Sequence, residues 1–214
     1  MKKIILLVVL ILCCGFMFAG EIDFSFGGMF ISHNLEANVS NGYDYQTVKA
    51  KYNTKGIAFD ITMCEVKENA KVGLLYYISF GLPSTHAVEV NGTKQEQKID
   101  GDYNIFAFGL GPVFVPYKTS SLKVYLSPCL SMRYELTATA LDMFFGIGGM
   151  ASVNYYFNES FFATCKMKGE FDFMYLGDAE ENYKNSFMFF PSIGGAELLV
   201  FVEDAVGKAY VFLF

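Results

Sequence analysis

Polar and apolar residues alternate through much of this chain. The clearest run is 121–136, SLKVYLSPCLSMRYEL. Leu122, Val124, Leu126, Pro128, Leu130, Met132, Tyr134 and Leu136 share one face, and Lys123, Tyr125, Ser127, Cys129, Ser131, Arg133 and Glu135 share the other. In 141–157 the apolar set is Leu141, Met143, Phe145, Ile147, Gly149, Ala151, Val153, Tyr155 and Phe157, opposite Asp142, Gly146, Gly148, Ser152 and Asn154. In 161–175, Phe161, Ala163, Cys165, Met167, Gly169, Phe171, Phe173 and Tyr175 oppose Thr164, Lys166, Lys168, Glu170 and Asp172. Successive side chains of a strand point to opposite faces, so a period of two predicts strands and excludes helices of period 3.6. Phe, Tyr, Val and Ile favour the same conformation. Weaker runs of this kind begin at Ile22, Ile57, Val72, Phe106 and Phe187. The expected fold class is all-β.

The three clear runs each extend for about 15 residues or more, where strands of soluble sheets usually have 5–6. A strand that crosses a bilayer needs about 9–11 residues, and outer-membrane strands continue past the lipid. Alternation alone leaves two solvents open. The polar face is the wet exterior of a soluble sandwich or lipocalin-like binder, or the enclosed lumen of a membrane barrel. The connections add a rhythm. Short ones are expected at Val66–Ala70, Pro116–Ser121 and Phe157–Ser160, and long polar ones at Ser32–Lys51, Ser84–Gly101 and Gly177–Lys184. Thr137–Ala140 breaks the rhythm by being short. A closed antiparallel transmembrane β-barrel of eight strands fits this pattern. Ten strands result if Gly194–Ala205 forms a further hairpin. Pro112, Pro128 and Pro191 fall inside expected strands and, lacking an N–H, should mark strand ends or bulges.

The first twenty residues differ from the rest. Lys2 and Lys3 precede an apolar run from Ile4 to Leu12, and Ala19 and Gly20 are small, as at a signal-peptide cleavage site. A lipoprotein signal would use Cys13 or Cys14. A retained anchor would need about 20 apolar residues. A removed signal, 1–20, leaves 21–214 as one barrel domain. After residue 20 no apolar run is long enough for a helical span.

The chain has 53% hydrophobic residues, 23 Phe, 14 Tyr and no Trp, which excludes disorder. Without Lys2 and Lys3, 14 Lys+Arg face 22 Asp+Glu, a net charge of −8. A polyanion is repelled by this balance, so no nucleic-acid partner is expected. Cys64, Cys129 and Cys165 remain, an odd number with no metal-ligand spacing, so neither a disulfide framework nor a metal site is expected. The single arginine, Arg133, among many lysines reads as a codon bias.

The chain ends in VGKAYVFLF, with aromatic residues at Tyr210, Phe212 and the terminal Phe214. This ending, with the signal-like start, resembles the small bacterial outer-membrane β-barrel proteins, the OmpW, OmpX and OmpA-barrel group and the small barrels of spirochaetes. The resemblance covers the mature chain at the level of pattern. It implies an outer-membrane location in bacteria, outer-membrane lipid as solvent and recognition of Tyr210, Phe212 and Phe214 by the barrel-assembly machinery. It implies porin-like architecture without naming a ligand at the outer loops.

No catalytic motif is matched, no cofactor is implied and no enzyme activity is expected. His33 and His86 fall in expected outer loops, where the bland reading is solvation. Ser84-Thr85-His86 is a nonspecific pointer to lipid-modifying chemistry. Glu180–Glu181 and Glu203–Asp204 read as solvated turns, and Asp100 and Asp102 as loop acids with a remote claim on a divalent cation. Gly146, Gly148 and Gly149 relieve crowding or permit bending. The candidate residues are those of the enclosed face: Asp60, Lys123, Arg133, Glu135, Asp142, Lys166, Lys168, Glu170 and Asp172. Charges of both signs inside a narrow barrel must pair, which predicts a plugged interior. The expected role is structural or surface-interacting through the outer loops. A narrow channel for small or hydrophobic solutes is the alternative.

Overall fold

A computed structural model describes residues 21–195, apart from 41–44, 68, 91, 100–102, 138–139, 159–160 and 178–182. Its strands are β1 (Glu21–Ser40), β2 (Tyr45–Glu65), β3 (Val72–Val90), β4 (Thr93–Lys98), β5 (Asn104–Lys118), β6 (Leu122–Leu136), β7 (Leu141–Asn158), β8 (Phe161–Leu176) and β9 (Tyr183–Gly194). All pairings are antiparallel.

The sheet runs β2-β1-β9-β8-β7-β6-β5-β3-β4, and β2 also pairs with β3. That extra ladder closes a ring of eight strands, with β4 outside it as a hairpin on β3. The protein is therefore a closed antiparallel β-barrel. The ring is complete when β9 meets β1, from Ser25↔Gly194 to Leu35↔Tyr183. Closure at eight removes the ten-strand alternative. The terminal aromatics Tyr210, Phe212 and Phe214 lie outside the described residues, as do the signal segment and all of Gly194–Ala205 beyond Gly195.

The expected long loops at Ser32–Lys51 and Ser84–Gly101 are instead largely paired strand. Glu36 to Ser40 pair with β2 beyond the end of the β1–β9 ladder, and Thr85 to Val90 pair with β4 beyond the end of the β3–β5 ladder. These segments form a sheet that projects past the ring. They read as loops because they are rich in Asn, Ser and Glu, and only a weak alternation, Leu35, Ala37 and Val39 against Glu36, Asn38 and Ser40, accompanies the backbone pairing. The β6–β7 turn is tight, with Thr137 N–H donating to Ala140 O at 3.0 Å. One side of the rim is therefore tall and the other low.

The prolines also differ from expectation. Pro112, Pro128 and Pro191 sit within strands, not at their ends. Each coincides with a lapse in one ladder. The β5–β6 pairing runs to Leu110↔Leu130 and resumes at Phe114↔Leu126, so Pro112 and Pro128 face each other in the gap. Pro191 sits in the break between Gly27↔Ser192 and Phe30↔Phe189. Two residues that cannot donate are thus grouped where one interruption serves both. A glycine flanks each gap: a Cβ on Gly111 would collide with Pro128 O, and one on Gly27 with Pro191 O.

The ring is apolar outside and polar within. Leu130 is 71% exposed, while Lys166 and Glu170 are each 1% exposed. Phe26, Phe59, Ile147 and Phe171 also face outward. A soluble sandwich buries its apolar face, so this arrangement excludes that alternative.

Gly27→Leu should prevent the β1–β9 seam from seating, because the colliding atom is backbone and cannot turn aside. Overpacking costs about 1–3 kcal/mol even where side chains yield. The folded, fast-migrating band on unheated detergent gels should fall sharply for this variant, whereas Gly28→Ala, whose Cβ would meet only the Phe30 ring edge, should retain it.

Candidate functional site

The interior is built by alternate residues of each strand, and its charges stand in tiers along the barrel. At the short-turn end, Glu21 opens β1. It accepts hydrogen bonds from Tyr125 (2.6 Å) and Tyr156 (2.7 Å) and pairs with Lys123. The Lys123 ammonium lies 4.3 Å from the centre of the Tyr156 ring.

The middle tier centres on Asp60 of β2. Lys166 and Lys168, successive inward residues of β8, reach across the lumen to its two oxygens at 2.9 and 2.8 Å. Thr62 and Ser79 hydroxyls donate to the same carboxylate at 2.7 and 2.5 Å. Lys166 also pairs with Asp23 at 3.1 Å, and Lys168 lies 3.8 Å from the Tyr77 ring centre. Tyr77 donates to Glu170 at 2.5 Å. Opposite Glu170 stands Gly148, where a Cβ would press on the Glu170 side chain at 3.2 Å.

Arg133 forms the upper tier. Its fork meets Glu135 at 2.9 Å, Asp172 at 2.7 Å and the Ser186 hydroxyl at 2.8 Å, with no exposure to solvent. Ser186 in turn donates to Asp172 at 2.7 Å. A planar guanidinium can hold two carboxylates and a hydroxyl at fixed angles, which a lysine cannot. The lone arginine therefore has a structural reason that its rarity concealed. Glu135 also meets His33 Nε2 at 3.1 Å and accepts from the Tyr103 hydroxyl.

Above Arg133 a cavity of about 210 Å³ opens toward the tall hairpins. Its walls include Phe144, Tyr175 and Tyr183, whose ring centres lie 5.0–5.7 Å apart, together with Tyr52, Tyr103 and Asp142. Tyr175 donates to Asp142 at 2.5 Å.

Of the sequence candidates, Asp60, Arg133, Glu135, Lys166, Lys168, Glu170 and Asp172 are buried in the interior. Lys123 and Asp142 are half-buried, one toward each end. Glu21, Asp23, Tyr77, Tyr103 and His33 join them and were not anticipated. Asp23 was legible, since it alternates with Ile22 and Phe24. His33 and Tyr103 were hidden by the loop reading. His33 is a buried residue of β1 and not a solvated one, and His86 lies in β3 with Nδ1 3.1 Å from the Thr54 hydroxyl. Ser84 donates to Lys55 O rather than to His86. Cys64 and Cys129 are buried thiols, and Cys165 is an exposed one on the apolar exterior. Among the described residues no cluster has the makings of a metal site.

No protein-family model matches the sequence, and no curated protein matches it. Solved structures similar to the chain include Neisserial surface protein A, NspA, at 11% identity and TM-score 0.47, covering 81% of this chain and 96% of that one. The outer membrane protein AlkL in lipid bilayers is similar at 10% identity and TM-score 0.48, covering 87% and 94%. Ail, the attachment invasion locus protein of Yersinia pestis, is similar at 13% identity and TM-score 0.36, covering 83% and 99%. At such values the barrel rests on the chain's own ring of ladders.

Removing one member of the middle tier should be costly, because it leaves buried charge without its partner. Asp60→Asn should lower unfolding stability in urea by about 3–5 kcal/mol. Replacing the whole cluster together, Asp60→Leu with Lys166→Met, Lys168→Met and Asp23→Asn so that no buried carboxylate loses its cation, should recover most of that loss. A silent Asp60→Asn would mean that the tier does not hold the interior.

Proposed function

We propose that the protein is an integral outer-membrane β-barrel without enzymatic activity, acting at the cell surface through its projecting hairpins. The observation that carries this reading is the inverted distribution of polarity. Exposed apolar side chains continue around the ring, from Phe24, Phe26 and Phe30 of β1 to Phe187 and Ile193 of β9. Soluble monomers rarely expose contiguous apolar patches beyond a few hundred Å². On β6 the apolar face from Val124 to Leu136 measures about 30 Å along the axis at the usual strand rise and tilt, close to the apolar band of an outer-membrane barrel.

Aromatic residues gather near both ends of this band, as they do at membrane interfaces. Tyr155, Phe157 and Phe161 stack in sequence at the short-turn end, with centres 5.2 and 5.5 Å apart. Phe80 with Phe106, and Phe108 with Tyr134, do so toward the other. Short turns at one end and tall hairpins at the other orient the chain with its hairpins outward. Outward-facing Lys49, Lys51, Lys55 and Lys94 make that projection hydrophilic.

The alternative of a narrow channel is less well supported. Arg133, Lys166, Lys168 and Phe190 fill the cross-section as fully buried side chains, and the three cations are paired with Glu135, Asp172, Asp23 and Asp60. An ion would have to break these pairs to pass.

Leu130→Arg distinguishes the membrane reading from any soluble one. In lipid it should destabilise the barrel by about 2–4 kcal/mol, since it lies midway along β6 on the outward face. An exposed site on a soluble protein would tolerate it within about 0.5 kcal/mol. Fractionation should place the wild-type protein in the outer membrane with heat-modifiable mobility, and planar bilayers should show no steady conductance. Recovery from the soluble periplasm would reject the proposal.

A further inference from the structure

The upper cavity contains an electrostatic imbalance that the ion-pair tiers do not resolve. Glu135 of β6 and Asp142 of β7 are directly opposite in the ladder and both face inward. Like charges in that relation repel. Glu135 is answered from below by Arg133, with His33 Nε2 beside it at 3.1 Å. Asp142 is not: among the described residues no cation pairs with it, and the Tyr175 hydroxyl donates to its Oδ1.

Around Asp142 the walls are aromatic. Phe144, Tyr175 and Tyr183 form one side, and Tyr52 and Tyr103 make up the rest together with Leu35, His33, His86 and Glu135. An aromatic face attracts cations through its quadrupole, most strongly when they shed water. This interior already uses that attraction, with the Arg133 guanidinium 4.5 Å from the Phe144 ring centre on its lower side. A carboxylate beside several rings suits a cation with an apolar shell better than a bare metal ion, which would require several oxygen ligands. The volume, about 210 Å³, lies below that of drug-sized pockets and suits a small head group.

From these observations we infer that the vestibule formed by Asp142, Tyr175, Tyr183, Phe144, Tyr52 and Tyr103 binds a small organic cation of the substituted-ammonium class. Asp142 supplies the counter-charge, and the rings replace the water around the alkyl groups. The cation would give Asp142 the counter-charge it lacks, Glu135 already being paired with Arg133. This assigns a ligand class to the surface role proposed above and depends on that reading only for access from outside the cell.

The test uses the full barrel folded in detergent, titrated with choline chloride and followed by tyrosine fluorescence and by NMR of the vestibule residues. Choline should bind saturably. Its neutral isostere, 3,3-dimethylbutan-1-ol, should bind at least tenfold more weakly. Asp142→Asn should weaken choline binding at least tenfold, and Glu36→Gln, outside the cavity, should leave it unchanged. Equal binding of the isostere, no saturation by choline, or an unaffected Asp142→Asn variant would each overturn the inference. The isostere comparison on wild-type protein decides the matter even if Asp142→Asn does not fold. None of these readouts depends on membrane location, so a failed titration and a failed fractionation are separable results.

Discussion

A ring of hydrogen-bonded strands has no first or last member, and this closure governs the rest of the molecule. In hydrocarbon an unpaired backbone N–H or C=O costs several kcal/mol, and water cannot relieve it. The β1–β9 ladder removes the final edge. Once eight strands are joined, the interior has a width set by strand number and stagger, just large enough for side chains to fill. Whatever faces inward must then be solvated by other inward-facing groups. The ion-pair tiers follow from that enclosure.

Pairing inside the barrel specifies more than it stabilises. Taking charges out of water offsets much of their attraction, so a buried pair is weak evidence of net stability. Register is a different matter. A slip of one residue would turn Lys166, Lys168, Glu170 and Asp172 toward the apolar exterior together and bring Met167 and Phe171 into the lumen. The four inward charges of β8 therefore discriminate strongly between registers, and Asp60 and Arg133 fix their partners across the interior.

Much of this was legible in the order of residues. The alternation in 122–136, 141–158 and 161–176 located three strands almost to their ends and separated their two faces, except at Tyr175, which a shift of register beside Phe173 turns from the expected apolar face into the interior. The enclosed charges followed from the same period. What escaped notice had physical causes. Alternation is faint in the projecting part of β2, where Val48, Ala50 and Tyr52 interleave with Thr47, Lys49, Lys51 and Asn53. A contrast that weak is outweighed by the polar residues around it. Arg133 was visible as a residue, yet its three-way contact with Glu135, Asp172 and Ser186 depends on β6, β8 and β9 meeting in space. The facing of Pro112 and Pro128 required the register between two strands, which neither strand contains alone.

The unequal rim has a geometric consequence. The tight β6–β7 turn forms a doorstep, while the paired extensions of β1 through β4 stand opposite it like the back of a chair. Asp142 is the second residue of β7, immediately inside that doorstep. Under the membrane reading proposed above, a molecule arriving along the bilayer plane would have a shorter road to the vestibule than one descending from bulk solution, through height difference alone.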